Sequence, residues 1–203
     1  NVDEKKHKIH EVVRLKDLSV NIGDKEVVFS LRSSFIVGTR ARVQIYFLDN
    51  DEYFGKRHSL FTDPITGEDF EDNDERFILL SKAVFELITK LGWYPDIIHC
   101  NDWQCGLIPA YLRAFTANNP LFSKIKSLFT IHNLAVQGSF PFESFAKTNL
   151  PDEYNNDFTG VISKGRLNFM KSALNFSDSI NTVSEKYAEE ICNDQNFSDG
   201  LFQ

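Results

Sequence analysis

The second half of the chain alternates short apolar runs with stretches in which apolar residues recur every three or four positions. The short runs predict β-strands, and the recurring spacing predicts amphipathic helices. We expect strands at residues 96–99, 124–131 and 179–183, and helices at residues 73–91, 103–115, 161–176 and 185–191, the last capped by Ser184. Strands that alternate with helices favour a parallel sheet with helices on both faces. The sequence therefore predicts an α/β fold.

The first half begins with signals for antiparallel strands. Alternating apolar residues on both sides of Gly23 predict a β-hairpin within residues 11–33, and residues 43–48 predict a further strand. We expect the hairpin at one edge of the parallel sheet. The polar segment 49–73 predicts a long loop, and long loops are often functional. Because a strand precedes this loop and a helix follows it, we interpret it as part of one crossover within a single domain.

Composition and charge exclude several classes of protein. The formal net charge of −7 argues against a nucleic-acid partner, which would need a basic patch. No stretch approaches the roughly 18 apolar residues of a membrane span, and the polar amino terminus shows no secretory signal. The irregularly spaced cysteines, Cys100, Cys105 and Cys192, indicate a reducing compartment rather than a disulfide framework. Because the first residue is not Met, we expect the sequence to start inside a longer chain.

Three of the predicted strands are each followed by a cluster of polar residues. In an open parallel sheet, ligands bind beyond the carboxyl ends of the strands. Amides and carboxylates pair with hydroxyl groups, and a Trp ring can stack on the apolar face of a sugar. The sequence therefore predicts a site for a polyhydroxylated ligand. Its candidate residues are His99, Asp102, Trp103, His132, Asn133, Gln137, Gly138 and Ser184.

Most of these candidates also have a purely structural interpretation. Asp102 can be a helix N-cap, Trp103 can be a core residue, and His99 can bond a backbone group. His132 is harder to explain in this way, because Asn, Gln and Gly follow it in the same loop. Gly138 is expected to provide a turn or a close backbone approach. The sequence thus favours function most clearly for His132.

Metal, nucleophile and phosphate-loop sites are not indicated. Adjacent His99 and Cys100 point to opposite faces of a strand, and the sequence has no CxxC or HxxxH pair. Neither Cys100 nor Cys105 has a basic neighbour that would lower the pKa of its thiol. No GxGxxG or GxxxxGK[ST] motif is present, so the main phosphate loop for any nucleotide would lie outside this segment. We expect no metal and no cofactor.

Four segments resemble motifs of bacterial glycogen synthases and plant starch synthases. Residues 96–112, DIIHCNDWQCGLIPAYL, resemble the family's D-V-V-H-x-H-D-W-x-x-G-L-x-P. Residues 129–141, FTIHNLAVQGSFP, resemble T-x-H-N-L-A-Y-Q-G-x-F. Residues 181–188, NTVSEKYA, resemble T-V-S-x-x-Y-A, and residues 72–77, DNDERF, match D-N-x-x-R-F. The four segments occur in the family's order, so the set is highly specific.

The resemblance implies the N-terminal, Rossmann-like domain of a two-domain GT-B glycosyltransferase that needs no metal. Such an enzyme transfers glucose from ADP-glucose or UDP-glucose to the non-reducing end of an α-1,4-glucan, with retention of the anomeric configuration. The resemblance also implies that His132 lies beside the transferred glucose and that Asp102 lies in the same cleft. Asn133 and Gln137 would line the loop near the sugar and the acceptor. A bacterial member would be cytoplasmic, and a plant member would lie in the plastid.

Several departures from the family pattern bear on the site. The second His of H-x-H-D-W is Asn101, the Tyr of L-A-Y-Q-G is Val136, and residues 56–61, KRHSLF, replace R-P-G-x-Y. The family's K-x-G-G-L segment and its nucleotide-binding C-terminal domain are absent from residues 1–203. We therefore interpret the chain as one truncated domain, inactive without the C-terminal domain in cis.

Two other functions are compatible with the sequence. The chain can be a stand-alone glucan-binding or regulatory module descended from such a domain. It can also belong to another GT-B enzyme of the sucrose or trehalose synthase type. The loop from His132 to Gly138 and the neighbouring pair Asp102 and Trp103 argue against this last alternative.

Overall fold

The first four strands form an antiparallel sheet. The computed structural model describes residues 3–38, 41–117 and 119–193. Its first strands are β1 (His10–Glu11), β2 (Leu18–Ile22), β3 (Lys25–Val37) and β4 (Arg42–Asp49). The long strand β3 pairs with each of the other three. β2 and β3 join at Gly23, whose φ of 58° suits a tight turn, so the predicted hairpin is confirmed.

This hairpin lies in a sheet of its own and not at the edge of the parallel sheet, where we expect it from the sequence. β3 is 13 residues long and pairs with β2 through its first part and with β4 through its second part. None of the hairpin's strands pairs with a strand of the parallel sheet in the described ranges. Because β4 belongs to the antiparallel sheet and β5 (Ile97–Asn101), the strand that follows the segment 49–73 and its helix, belongs to the parallel sheet, this segment is not a crossover between parallel strands of one sheet.

A long helix follows the irregular segment. Helix α1 (Asn73–Leu91) buries Ile78 and Leu79 completely and packs against β2. It ends at Gly92, which has the left-handed conformation predicted for a helix stop. Asp72 precedes the helix without capping it, because its carboxylate pairs with Arg57 instead. α1 thus joins the antiparallel sheet to the rest of the domain.

The remaining elements build the parallel sheet and its connections. In chain order they are β5 (Ile97–Asn101), α2 (Ile108–Thr116), β6 (Lys126–Ile131), β7 (Ser139–Phe140), α3 (Ser144–Thr148), β8 (Ile162–Ser163), β9 (Arg166–Asn168), α4 (Phe169–Phe176), β10 (Ser179–Thr182) and α5 (Glu185–Asn193). β5, β6 and β10 form a three-stranded parallel sheet with β6 in the centre. Pro109 lies in the first turn of α2, so it marks the helix start and makes no kink. The predicted α/β class is confirmed.

The predicted helix over residues 161–176 is wrong in its first half. Only α4 is helical there, and the preceding residues form β8 and β9, which pair with β7 in a small antiparallel sheet. Lys164 and Gly165 connect β8 to β9 with φ values of 51° and 70°. Two consecutive residues with positive φ are typical of a tight hairpin turn. The turn residues therefore prevail over the helical spacing of the apolar residues around them.

The two faces of the parallel sheet differ in exposure. Cys100 and Phe129 pair in register and are buried. His99 and Asn101 point to the opposite face, because side chains alternate along a strand, and both are exposed. In the described residues this exposed face continues onto Asn181 of β10. The polar residues predicted near the strand ends therefore lie beside solvent.

Candidate functional site

The ends of β5 and β6 bring two candidate segments into contact. Asn101 ends β5 and pairs in register with Thr130 of β6. His132 follows directly after β6 ends, and its Nε2 lies 3.0 Å from Oδ1 of Asn101. Because neighbouring parallel strands end at the same edge of a sheet, residues 31 positions apart in the sequence meet here.

Asp102 holds the loop that begins at His132. Its Oδ1 accepts hydrogen bonds from the backbone N–H of His132 at 2.8 Å and of Asn133 at 3.3 Å. Its own N–H donates to the carbonyl of Thr130. The side chain makes no capping bond to the helical turn that follows it. The N-cap interpretation of Asp102 is therefore wrong, and its carboxylate organises the loop.

The backbone of Asp102 is strained. Its φ of 57° and ψ of 178° fall in a region that glycine occupies almost alone. Such a conformation costs about 1–3 kcal/mol and persists only where the surrounding structure imposes it. Strained residues of this kind concentrate at functional sites, which supports a functional role for Asp102.

Helices α4 and α5 hold the rest of the loop, residues 132–138. The N–H of Leu134 donates to the hydroxyl of Tyr187 in α5 at 2.9 Å. The carbonyl of Gln137 accepts from the N–H of Met170, in the first turn of α4, at 3.0 Å. Together with the bonds from Asp102, these contacts fix the loop backbone at its beginning, middle and end.

The side chain of Gln137 is oriented by Asn168, the residue before α4. Nδ2 of Asn168 donates to Oε1 of Gln137 at 2.7 Å, and Oδ1 of Asn168 caps the helix by accepting from the N–H of Lys171 at 2.8 Å. Asn168 is buried and bonded at both ends of its amide. With its oxygen engaged, Gln137 has its amide N–H groups left to donate to a ligand hydroxyl.

Trp103 and Gly138 pack closely beneath the loop. Gly138 has a φ of 61°, and a Cβ added there would lie 2.2 Å from the ring of Trp103. The indole is 6% exposed and lies edge-on to Phe77, with ring centroids 4.7 Å apart. The close approach expected at Gly138 is therefore present. The structure supports the core interpretation of Trp103, whose buried ring has no open face for a sugar.

His99 belongs to a chain of side-chain hydrogen bonds across the parallel sheet. Oγ1 of Thr130 donates its single proton to Oδ1 of Asn181 at 2.6 Å, so the same oxygen accepts from Nε2 of His99 at 2.6 Å. His99 thus bonds a side chain and not the backbone group considered for it. Ser184 lies at the start of α5, where its Oγ accepts from the N–H of Tyr187 at 3.3 Å, as expected for a helix cap.

Cys100 and Cys105 are not activated nucleophiles. Burial raises the pKa of the thiols of Cys100 and Cys105, so both stay protonated near neutral pH. Among the described residues, no group of three or more His, Cys, Asp or Glu side chains could hold a metal ion. In the same part of the chain, no helix is both long enough and apolar enough to cross a membrane.

Three residues of the site are not predicted by the sequence. Asn101 stands out only as a departure from a motif, yet it contacts His132. Tyr187 reads as an ordinary helix residue, although its place in the T-V-S-x-x-Y-A motif is a signal for the role that the structure shows. Asn168 gives no signal, because its contact with Gln137 depends on the β7–β9 pairing, which replaces a predicted helix.

A separate cavity of about 740 Å³ lies beside the segment 49–73. Charged residues around it form pairs of opposite sign, Arg57 with Asp72 and Arg32 with Asp49. None of the candidates at the strand ends lines this cavity. The cavity and the strand-end site are therefore distinct features of the domain.

Sequence comparisons agree with the motif resemblance. A family model described as the starch synthase catalytic domain matches residues 1–203. A glycogen synthase of Chlorobium limicola is 36% identical over 200 residues, which cover 98% of this chain and 40% of that relative. A glycogen synthase of Desulforudis audaxviator is 41% identical over 158 residues, covering 76% of this chain and 29% of the relative. The chain thus spans at most about 40% of the length of these relatives.

The fold also matches a solved structure, the catalytic domain of Starch Synthase IV from Arabidopsis thaliana bound to ADP and acarbose. The TM-score is 0.68 at 22% sequence identity, and the match covers 97% of this chain and 40% of that chain. At this level of identity the likeness concerns the fold alone. It confirms the predicted Rossmann-like α/β architecture.

Proposed function

The chain belongs to the starch synthase catalytic-domain family, and from this premise we propose that it forms the acceptor-side domain of an α-glucan synthase. The full-length protein would transfer glucose from ADP-glucose or UDP-glucose to the non-reducing end of an α-1,4-glucan, with retention. Because the chain matches about 40% of a full-length relative, we assign this activity to the longer protein. The 203 residues would supply one wall of its cleft.

The bond between the Asp102 carboxylate and the amides of His132 and Asn133 supports this proposal most directly. It fixes the start of the loop before any ligand arrives. Groups that are already in place stabilise a transition state without the cost of reorganisation. His132 would lie beside the transferred glucose, where its ring and the dipoles of the loop would stabilise the positive charge that develops at the anomeric carbon.

Two side-chain amides would position the hydroxyl groups of the sugar. Oδ1 of Asn133 accepts from the N–H of Ala135 at 3.0 Å, so its NH₂ group is left to donate. Nδ2 of Asn168 likewise donates to Oε1 of Gln137, which leaves the NH₂ group of Gln137 to donate. Donors of this kind beside an imidazole suit a ring with several hydroxyls. In this arrangement Trp103 would support the loop from beneath and would not stack on the sugar.

The donor's diphosphate would be held mainly by the second domain of the full-length protein. Residues 1–203 contain no glycine-rich phosphate motif, and their net charge of −7 does not favour a large anionic ligand. The segment 49–73 and its cavity would contribute to the acceptor side. Residues 56–61 lie in this segment and depart from the family motif, so acceptor preference is expected to differ from that of relatives with R-P-G-x-Y.

Glucose incorporation by the full-length protein tests the proposal. Radiolabelled ADP-glucose or UDP-glucose should extend maltooligosaccharides. His132→Ala should lower turnover by about 100-fold or more through lost transition-state stabilisation. Thermal unfolding should change little, because His132 is exposed. His10→Ala removes another exposed histidine, on β1, and should keep wild-type turnover.

Other outcomes of the same assay would point to the alternatives. No incorporation from either donor, together with maltooligosaccharide binding, would indicate a glucan-binding module. Transfer to fructose or to glucose 6-phosphate would indicate an enzyme of the sucrose or trehalose synthase type. Near-normal turnover of His132→Ala would remove His132 from the site.

A further inference from the structure

The side chain of Asn101 contacts the ring of His132 at the open end of the parallel sheet. Oδ1 of Asn101 lies 3.0 Å from Nε2 of His132. Both residues are exposed, so core packing does not force them together. Asn101 occupies the position at which the resembling family motif has its second histidine.

An amide oxygen can accept a hydrogen bond but cannot donate one. Nε2 of His132 must therefore carry a proton whenever this contact is formed, in the neutral ring as well as in the charged ring. The lone pair of the neutral ring is then on Nδ1. We propose that Asn101 is a positioning residue that fixes the orientation and the tautomer of His132 and leaves Nδ1 as the acceptor for a substrate hydroxyl.

The backbones of both partners are already fixed, so one side-chain contact is enough to set the ring. Asn101 is the last residue of β5 and pairs in register with Thr130. The N–H of His132 is bonded to Asp102 at 2.8 Å. The freedom that is left lies in the side-chain torsions of Asn101 and His132. A hydrogen bond between the two ends of these side chains restricts those torsions.

A histidine at position 101 would act differently. An imidazole can donate or accept, and it changes charge near neutral pH. The tautomer of a neighbouring His132 would then depend on the state of its partner. An asparagine does not titrate, so Asn101 favours the same tautomer wherever the ring of His132 is neutral. The departure from the motif thus replaces a variable partner with a constant one.

The inference rests on the proposed function for its catalytic meaning, but its structural part is tested without turnover. Full-length protein with isotope-labelled histidine rings would be studied by NMR at a pH where His132 is neutral, and His132→Ala identifies the signal. The wild type should show a protonated Nε2 and an unprotonated Nδ1. Asn101→Ala and the similarly shaped Asn101→Leu should show exchange between tautomers. Asn101→Asp keeps an acceptor oxygen and should keep the protonated Nε2.

Turnover provides a second measurement. In Asn101→Ala, kcat should fall about tenfold, the typical size of one hydrogen-bond effect, while KM for the nucleotide sugar changes less. Asn101→His should recover part of the loss, because an imidazole can also accept. Asn21→Ala removes an exposed asparagine from β2 and should change neither the ring signal nor kcat.

The two proposals fail in different ways. If the protonation of Nε2 and Nδ1 of His132 is the same in the wild type, Asn101→Ala and Asn101→Leu, Asn101 does not set the tautomer. This conclusion would hold even if the full-length protein is an active synthase. If the tautomer changes as expected but the wild type transfers no glucose, the role of Asn101 stands and the proposed function fails.

Discussion

Asp102 combines an unfavourable backbone with a side chain that the site needs. Its φ and ψ suit glycine, which has no carboxylate to bond the amides of His132 and Asn133. A glycine at position 102 would therefore relieve the backbone strain but would no longer hold the loop. Stability and activity should respond in different ways to substitution at this position.

Two substitutions separate these effects. Asp102→Gly relieves the backbone strain, Asp102→Ala keeps it, and both remove the carboxylate. In the full-length protein we expect both variants to lose turnover by about 100-fold, because the loop is no longer held in place. The Gly variant should be more stable than the Ala variant by about 1 kcal/mol or more. Urea denaturation measures this difference, and equal stabilities would show that the backbone of Asp102 is not strained.

Gly138 is expected to tolerate no side chain. In Gly138→Ala the new Cβ would lie 2.2 Å from the buried ring of Trp103, so the free energy of unfolding should fall by about 2–4 kcal/mol. Gly67 is a matched control, because it also has a positive φ, 74°, but has open space around its Cβ position. Gly67→Ala should cost about 1 kcal/mol from the backbone alone. Equal losses in the two variants would contradict the packing of Trp103 against Gly138.

At the scale of elements, the loop at residues 132–138 depends on helices that come later in the chain. Tyr187 of α5 bonds Leu134 across 53 positions, and the start of α4 bonds Gln137. These helices also pack within the domain, as the buried residues Met170 and Ile191 show. The loop is thus held by helices whose positions are fixed independently by packing in the core.

Removing one hydroxyl tests this dependence. Tyr187→Phe leaves the N–H of Leu134 without its acceptor, so stability should fall by about 1–2 kcal/mol and turnover of the full-length protein severalfold. Tyr154→Phe removes a hydroxyl from a ring that packs against Phe176 and should leave turnover unchanged. If both variants keep wild-type turnover, the loop does not need α5.

The junction between β6 and β10 should weaken in acid. Burial by itself would raise the pKa of Asp178, but hydrogen bonds from Ser127 and Lys126 outweigh it. With the added charge of Arg113, they lower the pKa of Asp178 to about 2. Because the folded state favours the carboxylate, its stabilising effect is complete above the ordinary pKa of about 4 and is lost as the pH falls toward 2.

Asp178→Asn should therefore be less stable than the wild type at about pH 6, with a difference that shrinks below about pH 4. Urea denaturation across this range measures the difference, and a gap that does not change with pH would contradict it.

Most elements of the parallel sheet can be predicted from the sequence, because β5 and β6 contain local apolar residues and β10 is a short segment between two helical patterns. The same holds for the position of Asp102 and His132 at strand ends. The β8–β9 hairpin cannot be predicted in this way, because the turn at Gly165 prevails over an apolar pattern with helical spacing. The contact of Asn101 with His132 depends on the register of β5 against β6, which no local pattern specifies. Sequence thus indicates which residues gather at the site but not how they bond to one another.

At the scale of the whole molecule, the described residues form three sheets, and α1 joins the first antiparallel sheet to the rest of the domain. The polar ends of the parallel strands are exposed at one side. This arrangement gives a ligand contacts on one side only. The chain covers about 40% of the length of a glycogen synthase relative. The activity of such a relative is therefore expected to need more than these residues.

The isolated 203-residue chain should not incorporate glucose from ADP-glucose or UDP-glucose, whereas the full-length protein should. The measurement is radiolabel transfer to maltooligosaccharides at equal molar concentrations. Circular dichroism with a cooperative thermal transition is the control that shows the isolated chain to be folded. Transfer by the folded chain alone would mean that one domain is sufficient for catalysis.

Val136 stands at the centre of a loop whose backbone is fixed on both sides, and its side chain is 50% exposed. The bonds that fix this loop come from Asp102, Tyr187 and Met170 and do not involve the side chain of Val136. The family motif has a tyrosine at this position. A change at residue 136 therefore alters the surface offered to a ligand while the loop keeps its shape. Substitutions at residue 136, in evolution or in engineering, can therefore change ligand preference without disturbing the hydrogen bonds that hold the loop.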